Sequence, residues 1–521
     1  MGARNRLESK RFEQNNMKKT GLLLFLAGIL TLHASAQIPS WQQVDVTQEN
    51  REPSRTTFMS YGRGEDAVTM DKTKSTFYVP LNGAWAFRLA SGPGDIEPRF
   101  YGSSYSGEQS EKPVPGYFAE TSKEELAAHR PPALPASHAV GQYRTQIEIP
   151  VFWLDRDIYF RAEGVKGGLT LYVNGIKAGY SEDGGTPAEF NITPYIADGI
   201  NTIGMEISQW KTGDWLENGT QTGAGIEGDV YVYSQYRIHI HDFEVKTSFD
   251  SLKNTTGVID LAIEVVNNFN FPDSIVVYYD LRDAQGKPVR YNTRETIVPG
   301  LGQRDTIRFQ GKLGDVKKWS PENPYLYELV LRIRYQGRFT EYIPYMIGFR
   351  DLKMQDGQYL LNEKPLELNV QAYRFSGISP DESVIRAELK SLKQGGYNAI
   401  RCAYHPRKTR LYELCDELGI LIVDEINIDT SLTGDQMGAG GTLANNPEWV
   451  NAYRQRIENS WRANRNRTGL VVYSLGNGPG VGYNAYQSYL LLKELEPFRP
   501  VMYRPAEGLW STDRPSWTGG F

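Results

Sequence analysis

Residues 396–429 read GYNAIRCAYHPRKTRLYELCDELGILIVDEINID, and they decide how the last third of the chain folds. Asn398 to Cys402 is a short run that reads as a strand. Residues 408–418 carry helical spacing, and Gly419 stands where a helix would stop. Ile420 to Asp424 is then apolar up to an acidic end, as parallel strands buried on both faces are. The alternation continues outward. Upstream, Leu368 to Ala372 reads as a strand. Ser379-Pro380-Asp381-Glu382 predicts a helix start with Ser379 as N-cap, Ile385, Leu389 and Leu392 mark its buried face, and Gly395-Gly396 end it. Downstream come a helix at about 447–464, a strand Leu470 to Ser474, a helix at about 483–494 and a strand Val501 to Tyr503. Repeated β–α units with polar residues at the strand ends predict a (β/α)8 TIM barrel over 347–521. A complete barrel takes about 250 residues. Only five strands are counted before Phe521, so the barrel is expected to be incomplete.

The chain before it reads as β structure. From 38 to 235 short runs alternate apolar and polar residues, among them QYRTQIEI (Gln142 to Ile149) and Leu169 to Val173 followed by Asn174-Gly175. An Asn-Gly pair between alternating runs is a hairpin signal. With no helical period visible, this region predicts a jelly-roll β-sandwich. Residues 236–346 hold some seven further strand-like runs, the size of an immunoglobulin-like β-sandwich.

Composition excludes several classes. Lys+Arg 57 against Asp+Glu 62 leaves a net charge of −5, which gives no electrostatic reason to expect nucleic acid as a partner. Residues 17–36, MKKTGLLLFLAGILTLHASA, have the basic start, apolar core and small-residue end of a secretory signal, with residues 1–16 an upstream extension. No later stretch approaches 18 apolar residues, so no membrane span is expected, and the protein is expected in the periplasm or outside the cell. Cys402 and Cys415 are too few for a disulfide framework and read as buried free thiols. His239 and His241 share a strand face without a third ligand nearby, so a metal site there is not expected.

The strand ends carry a family resemblance. LNGAWAF (Leu81 to Phe87), YVNGIKAGYSEDGGTPAEFNITPYI (Tyr172 to Ile196), WSPENPYLY (Trp319 to Tyr327), IGFR (Ile347 to Arg350), NNPEW (Asn445 to Trp449) and YSLGN (Tyr473 to Asn477) join the opening stretch in one order. The collinear set resembles glycoside hydrolase family 2, and its β-galactosidases most. The resemblance implies a retaining exo-glycosidase that hydrolyses O-glycosyl bonds. Such chemistry needs one carboxylic acid to protonate the leaving oxygen and one carboxylate nucleophile about 5–5.5 Å away.

Against that pattern, several positions differ. The family's acid/base Glu follows the Asn of YSLGN, and here Gly478 stands there. The nucleophile strand is expected beyond Phe521. The His-Glu-His cluster expected after the first strand is Arg374, Phe375 and Ser376, and the Glu-x-His magnesium ligands are Asp429-Thr430-Ser431, so the Mg2+ site reads as degraded and no cofactor is expected. The family's His-Tyr-Pro is permuted to Tyr404-His405-Pro406. Gln221 and Thr222 replace a Trp-Arg pair, and Gly228 a later Arg. Surviving candidates for sugar contact are Asp183, Arg401, His405, Asn477 and Trp510. Asp183 would equally cap a turn, Arg401 pair with Asp424 or Glu425, Asn477 hold its loop, and Trp510 pack as an aromatic. Glu425 and Asp429 are the only substitute carboxylates at suitable strand ends. The sequence therefore favours a non-hydrolytic, carbohydrate-recognising relative, with an active glycosidase and a scaffold without sugar affinity as alternatives. An arc of five strands would expose an edge. The alternatives are a fragment, a partner chain that completes the barrel, or a tail rewired over the edge.

Overall fold

The computed structural model describes residues 38–136, 138–217, 223–374, 378, 380–405, 407–433, 442–478, 480–504 and 510–519. The signal segment 17–36 and the positions Gln221, Thr222, Phe375 and Ser376 lie outside the described residues.

The first domain is a sandwich. Its seven-stranded sheet runs through Gln48–Glu49, Ile176–Ser181, Gly168–Val173, Ile200–Ser208, Val140–Glu148, Gly83–Ala90 and Ser110–Val114. A four-stranded sheet of Ala188–Asn191, Arg156–Ala162, Val230–Tyr236 and Tyr78–Pro80 faces it. Alternation places Trp85, Phe160, Leu171 and Met205 in the shared core. Asn174 and Gly175 both take positive φ, +53° and +81°, which joins Val173 to Ile176 in the tight hairpin that Asn-Gly favours. Two short helices, Gly64–Ala67 and Lys123–Ala127, interrupt a region that the sequence reads as strands only. The second starts because Ser122 accepts the Glu125 N–H, a local cap too short to show a helical period.

The second domain has seven strands. Ile238–Phe249, Gly257–Asn267 and Arg304–Leu313 form one sheet, and Pro288–Ile297, Ile275–Arg282, Tyr327–Tyr335 and Arg338–Ile347 the other. Trp319 anchors it to the third domain: the ring is buried, and its Nε1–H donates to the Asp416 carbonyl at 2.8 Å.

The third domain is a partial parallel barrel: β1 Glu367–Ala372, α1 Glu382–Gln394, β2 Ala399–Cys402, α2 Lys408–Leu418, β3 Leu421–Glu425, α3 Val450–Asn464, β4 Leu470–Ser474, α4 Tyr483–Leu495, β5 Val501–Met502 and β6 Ser516–Gly519. The sheet order is β5-β4-β3-β2-β1-β6, and every pairing is parallel. β6 is a sixth strand, against five counted from the sequence. It lies along the far edge of β1, Glu367 opposite Ser516 and Val370 opposite Gly519. A second correction concerns α1, which begins at Glu382 with Asp381 as its N-cap; Ser379 lies outside the described residues. Its inner face is Ile385 and Leu389. α2 ends as its sequence requires, with Gly419 in the left-handed conformation at φ +67°.

Candidate active site at the barrel mouth

Successive residues of a strand point to opposite faces, and β3 uses this to separate two carboxylates. Glu425 turns into the barrel mouth. Arg401 Nη1, at the end of β2, lies 3.2 Å from its Oε2, and Ser474 Oγ, at the end of β4, donates to the same oxygen at 3.3 Å. Burial pushes the Glu425 carboxyl up, and Arg401 opposes the shift. Asp424 turns outward and is fully buried. It takes an ion pair from Lys408 Nζ at 2.7 Å and hydrogen bonds from Tyr412 at 2.8 Å, Ser460 at 2.8 Å and Asn464 at 2.9 Å. Of the two partners open to Arg401 in the sequence, the geometry selects Glu425, and Asp424 ties α2 and α3 to the sheet.

The loops above these strands meet as a ladder. Asp429 N–H donates to the Leu216 carbonyl at 2.6 Å, and Asn477 N–H to the Ile428 carbonyl at 2.8 Å. Asp429 is half-buried, and its Oδ1 accepts the Ser431 N–H at 3.0 Å. Asn477 is exposed at the rim. Gly476, Gly478 and Gly480 all have positive φ, at +118°, +98° and +142°. A Cβ at position 478 would stand 2.7 Å from the Ser431 nitrogen and 3.0 Å from that of Thr430. The loop after β4 is thus closed around glycine where a proton donor would be needed. Among the described residues no group of three His, Cys, Asp or Glu stands together as a metal site would need, at the mouth or elsewhere.

The remaining candidates are each engaged in contacts of their own. Asp183 is buried under the jelly-roll: it accepts the Gly185 N–H at 3.0 Å, the Thr186 hydroxyl at 2.7 Å and the Asn459 amide at 3.0 Å. It caps its turn and also ties that turn to α3. Burial alone would raise its pKa, but Arg456 and Arg51 hold it below the usual range. The His405 ring is buried, accepts the Arg407 N–H at Nδ1 and is pushed down to about 3, so it stays neutral. Trp510 lies beside α4, its ring 5.4 Å from Tyr486, 5.4 Å from Tyr489 and 5.8 Å from Tyr503.

A second polar cluster sits between jelly-roll and mouth, and the sequence reading missed it. Glu227 is buried and accepts hydrogen bonds from both Tyr117 and Tyr404, with Lys166 Nζ at 3.8 Å. Burial pushes its carboxyl up to about 7, partly offset by the Tyr404 bond. Beside it Lys211 pairs with Asp214 at 2.5 Å and Glu217 at 2.8 Å. No local pattern signals it: Glu227 sits in the turn between the strands Ala224–Ile226 and Val230–Tyr236.

Three family models cover this architecture in order: glycosyl hydrolases family 2, sugar binding domain (79–260), glycosyl hydrolases family 2 (238–350) and glycosyl hydrolases family 2, TIM barrel domain (352–513). The chain belongs to glycoside hydrolase family 2. A β-galactosidase of Priestia megaterium is 30% identical over 89% of the chain and 47% of its own length, and one of Vibrio cholerae 31% over 81% and 42%. This family member thus spans about half the length of the curated relatives it matches. Among solved structures, a β-glucuronidase of Bacteroides uniformis shares the fold at TM-score 0.65, with 18% identity over 82% of this chain and 52% of that one. A β-glycosidase of Bacteroides vulgatus does so at 0.66, with 20% identity over 85% and 56%.

Proposed function

We propose that the chain is a carbohydrate-recognising member of glycoside hydrolase family 2 that does not hydrolyse glycosidic bonds. The observation that carries this reading is Gly478: the position that should hold the proton donor has no side chain, and its backbone at φ +98° has no room for one. Retaining hydrolysis requires two carboxyl groups in set roles. Glu425, the carboxylate that β3 turns into the mouth, is engaged by Arg401 and Ser474. The β-galactosidases it resembles suggest a galactoside as the ligand, and the segment 17–36 suggests export to the periplasm or beyond.

The test is calorimetry of the full chain with galactosides, beside turnover of nitrophenyl galactoside. Binding without turnover is expected. Turnover that disappears in Glu425→Gln would replace this reading with that of an active glycosidase, and absence of any galactoside or glycan binding would replace it with a scaffold.

A further inference from the structure

The chain has four Asn-Gly pairs, beginning at Asn82, Asn174, Asn218 and Asn477. Such a pair is chemically labile, because glycine has no Cβ to shield its nitrogen from the preceding side-chain amide. Asn218 lies outside the described residues. At two of the others the fold holds the amide from both ends. Asn82 Nδ2 donates to Asp229 Oδ1 at 2.9 Å, and its Oδ1 accepts the Val230 N–H at 2.9 Å. Asn174 Nδ2 donates to the Tyr195 carbonyl at 2.9 Å and to Asn201 Oδ1 at 2.8 Å, and its Oδ1 accepts the Thr202 N–H at 2.8 Å. Asn477 differs. Its backbone is fixed in the ladder above the barrel, N–H to the Ile428 carbonyl and carbonyl from the Thr430 N–H. Among the described residues, however, no hydrogen bond engages its side-chain amide or the Gly478 N–H. Exposure alone does not separate the pairs, since Asn82 is exposed as Asn477 is.

We propose that Asn477–Gly478 is a self-modification site, at which the rim amide of the barrel mouth becomes a carboxylate. The Gly478 nitrogen gives its proton to water and attacks Cγ of Asn477. The N–Cγ bond forms, the Cγ–Nδ2 bond breaks, and ammonia leaves a succinimide ring. Water then opens the ring at either carbonyl and yields aspartate or isoaspartate at position 477. The product faces Asp429, its partner across the ladder, so a second negative charge joins the rim there. An amide donates and accepts, whereas a carboxylate only accepts. If the mouth is the carbohydrate site proposed above, the conversion removes a donor from its rim; the modification itself does not depend on that reading.

Peptide mass mapping of the full chain tests it, after incubation at pH 8 in the native state and in urea, with isoaspartyl methyltransferase labelling to identify the isoaspartate. In the native protein Asn477 is expected to convert about tenfold or more faster than Asn82 and Asn174, whose amides must first give up two or three hydrogen bonds. In urea the three rates are expected to converge. Asn477→Gln, whose longer side chain closes the ring far more slowly, is expected to leave that peptide unmodified. Native conversion at Asn477 no faster than at Asn82 or Asn174 would overturn the proposal. An equal lead of Asn477 in urea would overturn it too, for then the fold does not select the site. The mass readings need no sugar, so they stand apart from the galactoside calorimetry that tests the carbohydrate reading.

Discussion

Giving Gly478 a side chain is expected to cost stability without creating activity. Two costs can be worked from the structure. A non-glycine residue held in the left-handed half of the map costs about 1–2 kcal/mol, and Gly478 sits there at φ +98°. The added Cβ would lie 2.7 Å from the Ser431 nitrogen, so one loop must move by several tenths of an ångström. That movement strains the Ser431 N–H bond to Asp429 Oδ1 and the Thr430 N–H bond to the Asn477 carbonyl, at about 1 kcal/mol each. The sum is roughly 3–4 kcal/mol. Both costs belong to the Cβ, so Gly478→Ala and Gly478→Glu should lose the same amount. Urea unfolding followed by tryptophan fluorescence reads it, since Trp449 and Trp461 sit at and within α3. The reasoning is refuted if Gly478→Ala unfolds within about 0.5 kcal/mol of the parent. It is refuted equally if Gly478→Glu hydrolyses nitrophenyl galactoside, for then the loop accepts a proton donor.

Asp424→Ala should destabilise the barrel by about 3–5 kcal/mol in the same assay, because it strands the buried Lys408 ammonium; Glu425→Gln, which keeps a hydrogen-bond acceptor at the mouth, should cost far less. Glu227 has a folded pKa raised from 4.5 to about 7, so its contribution is complete below about pH 4.5 and is lost as pH rises towards 7. Glu227→Gln should therefore gain on the parent by at most ~1.4 kcal/mol per pH unit across that window. The difference between the two proteins is the quantity to read, since buried His138, His239 and His405, all pushed down, impose the opposite slope on both; a difference that is flat or falling with pH would refute the assignment. Burial pushes the Cys402 thiol up to about 12 and raises that of Cys415 as well. A thiol reagent at pH 8 should leave the native protein unmodified and titrate two thiols in urea.

The fold was legible where one period dominated. The β3 run Ile420 to Asp424 and the glycine stop at 419 gave the α/β alternation, and alternating runs gave the sandwich strands. β6 was not, because Ser516 to Gly519 carries no apolar run and becomes a strand only through the edge of β1. At the site, residue types announced that Gly478 could not act as an acid, and the φ angle adds that the position resists one. What sequence could not assign were partners: Arg401 faced two adjacent carboxylates, and only the pleat of β3 decided between them. Glu227 and Tyr404 lie 177 residues apart and escaped notice because no local pattern joins them.

The pairing of β6 with β1 has a consequence for the order of folding. Each strand from β1 to β5 pairs with its neighbour in sequence, but the β1–β6 seam joins Glu367 to Ser516 across the whole domain. Its closure entropy must be met before its few hydrogen bonds form, so the seam assembles last. The same imbalance makes it the first part of the sheet to open. Amide hydrogens of Glu367 to Val370 should exchange well ahead of those of β3, and the β1 edge would be briefly bare in a molecule that is otherwise fully folded.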